Sequence, residues 1–217
     1  MKDLEFVRMV ASKVQSFGGR TFYVGGCVRD KLLGLESKDI DIEVYGITRE
    51  VLVNDILSAF GQVRFQGASF GVYRVSDYDV DIAFPRTENA VGKCHRDFTV
   101  CVDSNLSFEK ATVRRDFTIN AMLQDVLTGE IIDLYGGQDD LKNGIIRYVN
   151  ATSFVEDALR VFRAVQFAAR FDFTIADETK NLMKTIDTRF LSKERVYGEL
   201  KKALLLSSKP SRFFEEL

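Results

Sequence analysis

Tryptophan is absent from this chain, histidine occurs once and proline only twice. With His95 as the single imidazole and no nucleophile-elbow motif, the sequence argues against Ser/His/Asp chemistry. The three cysteines, Cys27, Cys94 and Cys101, form no C-x-x-C pair. That argues against a disulfide scaffold and a structural zinc site. Cys94-His95 with Cys101 matches no standard metal-ligand spacing either. No apolar run reaches the length of a bilayer span. The Met1-Lys2-Asp3 start lacks a signal-peptide core, so the expected location is the cytoplasm. Neither sign of charge prevails: 30 Lys and Arg stand against 32 Asp and Glu, a formal net charge of −2. Nothing advertises a general affinity for nucleic acid, and any basic surface must be local. Internal repeats and low-complexity segments are also lacking.

What is present begins with a core. Hydrophobic residues make up 46% of the 217, with 18 Phe, enough for one domain or one and a half. The chain is organised around residues 21–44. Thr21-Phe22-Tyr23-Val24 reads as a buried strand, broken by Gly25-Gly26, with a short helix expected over Val28–Leu33 and ended by Gly34. A glycine pair between a strand and a helix start leaves backbone N–H groups free for an anion, the local physics of a phosphate seat. Asp39-Ile40-Asp41 follows, with Ile42 and Val44 continuing an alternation that points both carboxylates to one face. Hard oxygen ligands beside a phosphate seat suggest Mg²⁺ and a nucleoside triphosphate. Taken singly, a Gly-Gly turn or an Asp-x-Asp strand has an ordinary structural explanation; the combination in this order points to function.

Along the chain, helical spacing is expected over Leu4–Phe17 and again over Thr48–Phe60, with Thr48 as N-cap and Gly61 as terminator. Strands are expected at Val63–Gln66, Phe70–Val75 and Tyr78–Phe84, with turns at Gly67, Gly71 and Ser76-Asp77. On the last strand Asp79 and Asp81 share a face, so either could be a third carboxylate. Asp81 precedes the apolar Ile-Ala-Phe and is the inward candidate. Pro85–Thr112 reads as a long mobile loop with an extended piece at 98–102, leading into a helix from Ser107. Arg114-Arg115-Asp116 with Asn120 forms a second polar cluster, able to meet phosphate and ribose hydroxyls or to be a solvated helix start. Leu127–Asp133 reads as a hairpin and Gly136-Gly137 as a turn.

From about Thr152 the pattern is helical. Ser153 and Glu156 have capping-box spacing for a helix to Phe171 with Val155, Leu159, Phe162 and Val165 as its buried stripe. Glu156, Asp157, Arg160 and Arg163 lie on the opposite side at i,i+3 and i,i+4 spacing, where charged helices ordinarily form surface ion pairs. A sharper function is available to them. Cytosine and adenine both present an amino donor beside a ring-nitrogen acceptor, whereas uracil and guanine present a carbonyl beside an N–H. A carboxylate only accepts and a guanidinium only donates, so Asp157 with Arg160 could accept C and A and reject U and G. Two more helices are expected at 177–185 and 193–206, and Phe213–Leu217 stops in mid-amphipath, as an interrupted element would.

The ordered set GGCVRD with DID, RRDFTINAM, IIDLYGGQDDL and EDALRVFRAVQFAARF resembles the bacterial class of CCA-adding tRNA nucleotidyltransferases and the related poly(A) polymerases, over residues 23–217. The resemblance implies an α+β fold: a DNA polymerase β-like head over residues 1–146, with a mixed, largely antiparallel sheet and flanking helices, then an all-α neck over 147–217. It implies that Asp39 and Asp41 bind two Mg²⁺ with Asp81 as third carboxylate, and that Gly25, Gly26 and Arg29 hold the triphosphate. Arg115 would meet phosphates, Asp116 and Asn120 would lie near the ribose, and Glu156, Asp157, Arg160 and Arg163 would template CTP and ATP. Residues 86–111 would match a flexible loop. The expected activity is addition of CMP and AMP to the 3′ end of tRNA. Poly(A) synthesis, CC- or A-addition alone, and a silent nucleotide- or RNA-binding module remain the alternatives.

Overall fold

The structure is a computed structural model that describes residues 2–37, 39–66, 71–90 and 98–217. Four features of the sequence reading, Gly67, Phe70, Cys94 and His95, lie outside the described residues. By internal packing the chain divides into two units: residues 1–89, 98–112 and 122–134 form one, and 90–97, 113–121 and 135–217 the other.

The first unit is built on a seven-stranded sheet. Its strands are β1 (Arg20–Val24), β2 (Ile40–Tyr45), β3 (Val63–Gln66), β4 (Val72–Val75), β5 (Val80–Ala83), β8 (Leu123–Asp125) and β9 (Ile131–Ile132), in the order β3-β4-β5-β2-β1-β8-β9. The β2–β5 pair is parallel and the other pairs are antiparallel. β-alternation divides the faces. Ile42, Val44, Tyr73, Val75, Val80 and Ile82 bury one face against α1 (Lys2–Ser16), whose Phe6, Val7, Val10, Ala11 and Val14 recur at helical spacing. Leu52, Ile56 and Leu57 join this core from a helical segment made of a wide π turn, Val51–Ile56, and a 3₁₀ turn, Leu57–Phe60. Thr48 caps it as expected, its Oγ1 accepting from Val51 N at 3.4 Å. The opposite face buries a smaller cluster, Phe22, Val24, Tyr45, Ala111 and Leu123.

Several expectations change in this unit, among them the hairpin expected at Leu127–Asp133, whose strands are β8 at Leu123–Asp125 and β9 at Ile131–Ile132. The stretch read as a long loop contains a two-stranded ribbon, β6 (Arg86–Ala90) with β7 (Phe98–Val102), before α3 (Phe108–Thr112). Polar strands such as Arg86-Thr87-Glu88-Asn89 carry no period-2 apolar signal, so pattern alone does not reveal them. The helix after Gly25 begins at once: α2 spans Gly26–Leu32, with Gly25 at φ 71°, ψ −133°, a conformation open to glycine.

The second unit holds α4 (Gly137–Asn143), β10 (Ile145–Ile146), α5 (Ala151–Val155), α6 (Leu159–Phe171), β11 (Thr174–Ile175), α7 (Asp177–Met183), α8 (Lys193–Leu206) and α9 (Arg212–Glu215). β10 and β11 form a short parallel pair. Phe117 places residues 113–121 in this unit: its ring meets Phe154 and Phe167 edge-on at 5.7 Å each. The division by packing interleaves in sequence, where the resemblance implies a head over residues 1–146 and a neck over 147–217.

The single helix expected from Ser153 is two helices. Asn150, not Ser153, caps α5, its side chain accepting from Ser153 N at 3.1 Å, while the Ser153 hydroxyl donates to Val113 O. Asp157 then opens α6, its Oδ1 accepting from Leu159 N at 3.1 Å. The S-x-x-E capping box does not form because Glu156 closes α5 instead of opening a helix, and Val155 is 43% exposed rather than part of the buried stripe.

Candidate active site

In the first unit the polar groups gather on the sheet face opposite α1. Parallel register sets Asp41 beside Asp81. Asp39 stands two residues before Asp41, just ahead of β2, on the same side by alternation. Asp81 is 33% exposed at its side chain and Asp79 67%, so Asp81 is the inward carboxylate of that pair. Arg74 on β4 bonds Asp81 through Nε and reaches Asp79 Oδ1 with Nη1 at 3.3 Å. Its guanidinium is held above its usual pKa by the bond to Asp81, against some desolvation, with Asp79 and Asp39 adding to the field. Among the described residues no three His, Cys, Asp or Glu side chains form a ready-made metal cluster. β5 lies between β4 and β2, so Arg74 bonds Asp81 from the side away from β2. The donor chemistry nevertheless fits a hard divalent ion: carboxylate oxygens on adjacent strands repel one another unless a cation sits among them.

The glycine turn is tied to this face. Cys27 donates its thiol to Val24 O at 3.1 Å and to Asp41 O at 3.5 Å, pinning the start of α2 to the strand that carries Asp41. Arg29, 4% exposed, is locked by Asp30 at 2.6 Å. A Cβ at Gly26 would sit 3.3 Å from Arg29 Nη2, so a side chain there would have to displace the guanidinium by a few tenths of an ångström.

In the second unit the polar cluster is centred on Asp116. Its Oδ2 accepts from Arg163, with Nη2 at 2.6 Å, and its Oδ1 from Asn120 Nδ2 at 3.0 Å. Burial pushes this carboxyl up, but Arg163, Asn120 and Arg160 outweigh it and hold the pKa down at about 2. Arg115 is half-buried in the bend just before Asp116. Arg160 donates to Ser153 O at 2.5 Å and Arg114 O at 2.6 Å, and Asp157 Oδ2 accepts from Arg195 on α8 at 2.9 Å. The surface lattice of i,i+3 and i,i+4 ion pairs expected on this helix is therefore absent among the described residues: Arg160 goes to carbonyls, Arg163 to Asp116 and Asp157 to Arg195. Glu156 is exposed at the end of α5. Two committed bonds leave an Asp further lone pairs and an Arg further N–H groups, so a base edge can still be met.

Residue-by-residue inspection of the sequence misses Arg74, Asp30, Arg195 and Glu199, the buried α8 carboxylate 3.9 Å from Arg163. Only the adjacent Arg29-Asp30 pair carries a local signal.

A profile of the poly(A) polymerase head domain matches residues 21–147, more than half of the chain. This chain belongs to the poly(A) polymerase head-domain family. Relatives of this family member include the multifunctional CCA protein of Laribacter hongkongensis, 40% identical over 202 residues, covering 91% of this chain and 48% of that protein. The multifunctional CCA protein of Nitrosomonas europaea is 41% identical over 199 residues, covering 90% and 46%. Among solved structures, the Thermotoga maritima CCA-adding enzyme complexed with tRNA is similar at TM-score 0.79 and 30% identity, over 99% of this chain and 50% of that one. A CCA-adding enzyme complexed with CTP is similar at TM-score 0.76 and 30% identity, over 99% and 49%. The α+β fold expected of a nucleotidyltransferase head is thus the observed one. The chain spans about half the length of the curated relatives it matches.

Proposed function

We propose that this chain supplies the catalytic and nucleotide-selecting parts of a cytoplasmic tRNA nucleotidyltransferase that adds CMP and AMP, from CTP and ATP, to the tRNA 3′ end. The carrying observation is the in-register pair Asp41 and Asp81 on one sheet face, with the glycine turn pinned beside it by Cys27. The names of the relatives and structural neighbours, which include complexes with tRNA, CTP and ATP, support the substrate classes. Catalysis is assigned to the head and base choice to the helical neck.

Asp39, Asp41 and Asp81 would hold two Mg²⁺, which when bound supply Lewis-acid activation of the RNA 3′-hydroxyl and charge neutralisation at the phosphates. The chain's own residues do the rest. Gly25 and Gly26 present backbone N–H groups to the triphosphate, and Arg29, held rigid by Asp30, adds a fixed cation. Arg115 neutralises phosphate, and Asp116 with Asn120 orients the ribose. Asp157 accepts from the exocyclic amino group of C or A while Arg160 donates to the ring nitrogen, with Glu156 and Arg163 completing the template. The Arg195 bond to Asp157 and the carbonyl bonds of Arg160 fix the direction of both groups before the nucleotide arrives, which lowers the ordering cost of recognition.

The test is a product ladder on tRNA trimmed of its 3′ end. Two C residues followed by one A are expected; an A-only tract would make the protein a poly(A) polymerase, and no addition would leave a nucleotide- or RNA-binding module.

A further inference from the structure

The head carries two D-x-D runs. Asp39-Ile40-Asp41 enters β2 and Asp79-Val80-Asp81 enters β5, and the parallel register Ile40↔Val80, Asp41↔Asp81 lays the two runs side by side. Like charges directly opposite on paired strands repel. The cation that the fold sets against them is Arg74, whose place follows from register: β4 pairs β5 with Val72 opposite Ala83 and Tyr73 opposite Ile82, so the next position faces Asp81. Its guanidinium bonds Asp81, spans to Asp79, and lies in the field of Asp39.

The direction of that bond matters. β4 is on the far side of β5 from β2, so Arg74 bonds Asp81 from the side away from β2. We propose that Arg74 is a positioning residue that latches Asp81, releasing it to Asp41 only when a divalent ion enters between β2 and β5. Asp79, two residues outward and mostly exposed, gives the released guanidinium a second carboxylate to rest on. In the empty head the latch neutralises part of the acidic face and keeps the strands from repelling. In the loaded head it limits ion affinity, because the entering cation must break an ion pair and approach a positive charge.

If Asp39, Asp41 and Asp81 hold divalent ions as proposed above, removing the latch strengthens ion binding. Mn²⁺ titration followed by the electron paramagnetic resonance of the free ion reads this directly, without turnover. Arg74→Gln is expected to bind Mn²⁺ about fivefold more tightly than wild type at ordinary ionic strength, since one nearby positive charge is gone. Arg74→Lys should stay close to wild type, and Asp81→Asn added to Arg74→Gln should remove the gain. Thermal unfolding checks that each variant folds; Arg74 is a third exposed, so these changes leave the core intact. Asp41-dependent binding that Arg74→Gln leaves unchanged or weakens overturns the latch alone. Wild-type binding that Asp41→Ala does not reduce overturns the metal assignment, and the latch with it.

Discussion

Asp79 and Asp81 differ in what surrounds them, and that difference decides their expected roles. Asp81 stands beside Asp41 in register, whereas Asp79 lies outside the strand and is twice as exposed. Asp81→Ala should lower nucleotide incorporation by about a hundredfold or more, the scale of losing a group that stabilises transition-state charge. Asp79→Ala should stay within about threefold, as expected for an exposed group. Initial rates on trimmed tRNA distinguish the two, and equal losses would contradict the assignment. Sequence alternation places both residues on one face, and the apolar Ile-Ala-Phe after Asp81 already favours it as the inward one; only the β2–β5 pairing adds that it stands beside Asp41. The same limit explains why Arg74 and Arg195 escape sequence inspection. Arg74 lies 7 residues from Asp81 and Arg195 lies 38 from Asp157, and neither separation has a local pattern.

At the scale of elements, the break between α5 and α6 is the most informative feature. Asp157 caps α6 with one oxygen and holds Arg195 with the other. Asp157→Ala should cost about 1 kcal/mol of stability for the lost cap, with loss of the preference for CTP and ATP over UTP and GTP. Asp157→Asn can keep the cap, so it should preserve the melting temperature while still changing nucleotide preference. Competition assays with all four nucleotides check this, and an unchanged preference in a folded Asp157→Asn protein would contradict the template role. The helix itself was legible in the sequence, because Leu159, Phe162 and Val165 recur at three-residue spacing. Its start was misplaced because Ser153 and Glu156 mimic a capping box while Asn150 and Asp157 make the actual caps.

The Asp116–Arg163 pair, joining the 113–121 segment to α6, gives this unit a pH dependence. The Asp116 carboxyl titrates at about 2 rather than at its ordinary 3.8. A depressed folded pKa contributes stability that is present above the unfolded value and is lost as pH falls towards the folded one. The window is therefore from about pH 4 down to about pH 2, with a contribution on the order of 2 kcal/mol. Arg163→Met should shrink or abolish that slope, because burial raises the carboxyl and only Asn120 and Arg160 remain to lower it. Urea unfolding of wild type and variant across this range measures it.

For the whole molecule, the sheet of the first unit packs one face on α1, while its other face carries Asp39, Asp41 and Asp81, the proposed metal ligands, beside a smaller apolar cluster. Phe6, fully buried, stacks on Tyr78 with ring centroids 3.9 Å apart and meets Phe60 edge-on. Phe6→Ala should destabilise the head by about 3–5 kcal/mol. Hydrogen exchange should then lose protection in β2 and β5 while α6 retains its own, since α6 belongs to the other packed unit. The strands β1 to β5 were readable because half-buried strands alternate, whereas β6 is polar and the three-residue β8 is too short to show a period. The interleaving of 113–121 with the helices was not, because Phe117 finds Phe154 and Phe167 only in three dimensions. Incorporation of labelled CMP and AMP onto 3′-trimmed tRNA by wild type and Asp41→Asn, compared at matched folding, tests catalysis at the acidic face most directly. Wild type should add both nucleotides and Asp41→Asn neither, whereas incorporation by Asp41→Asn at the wild-type rate would contradict it.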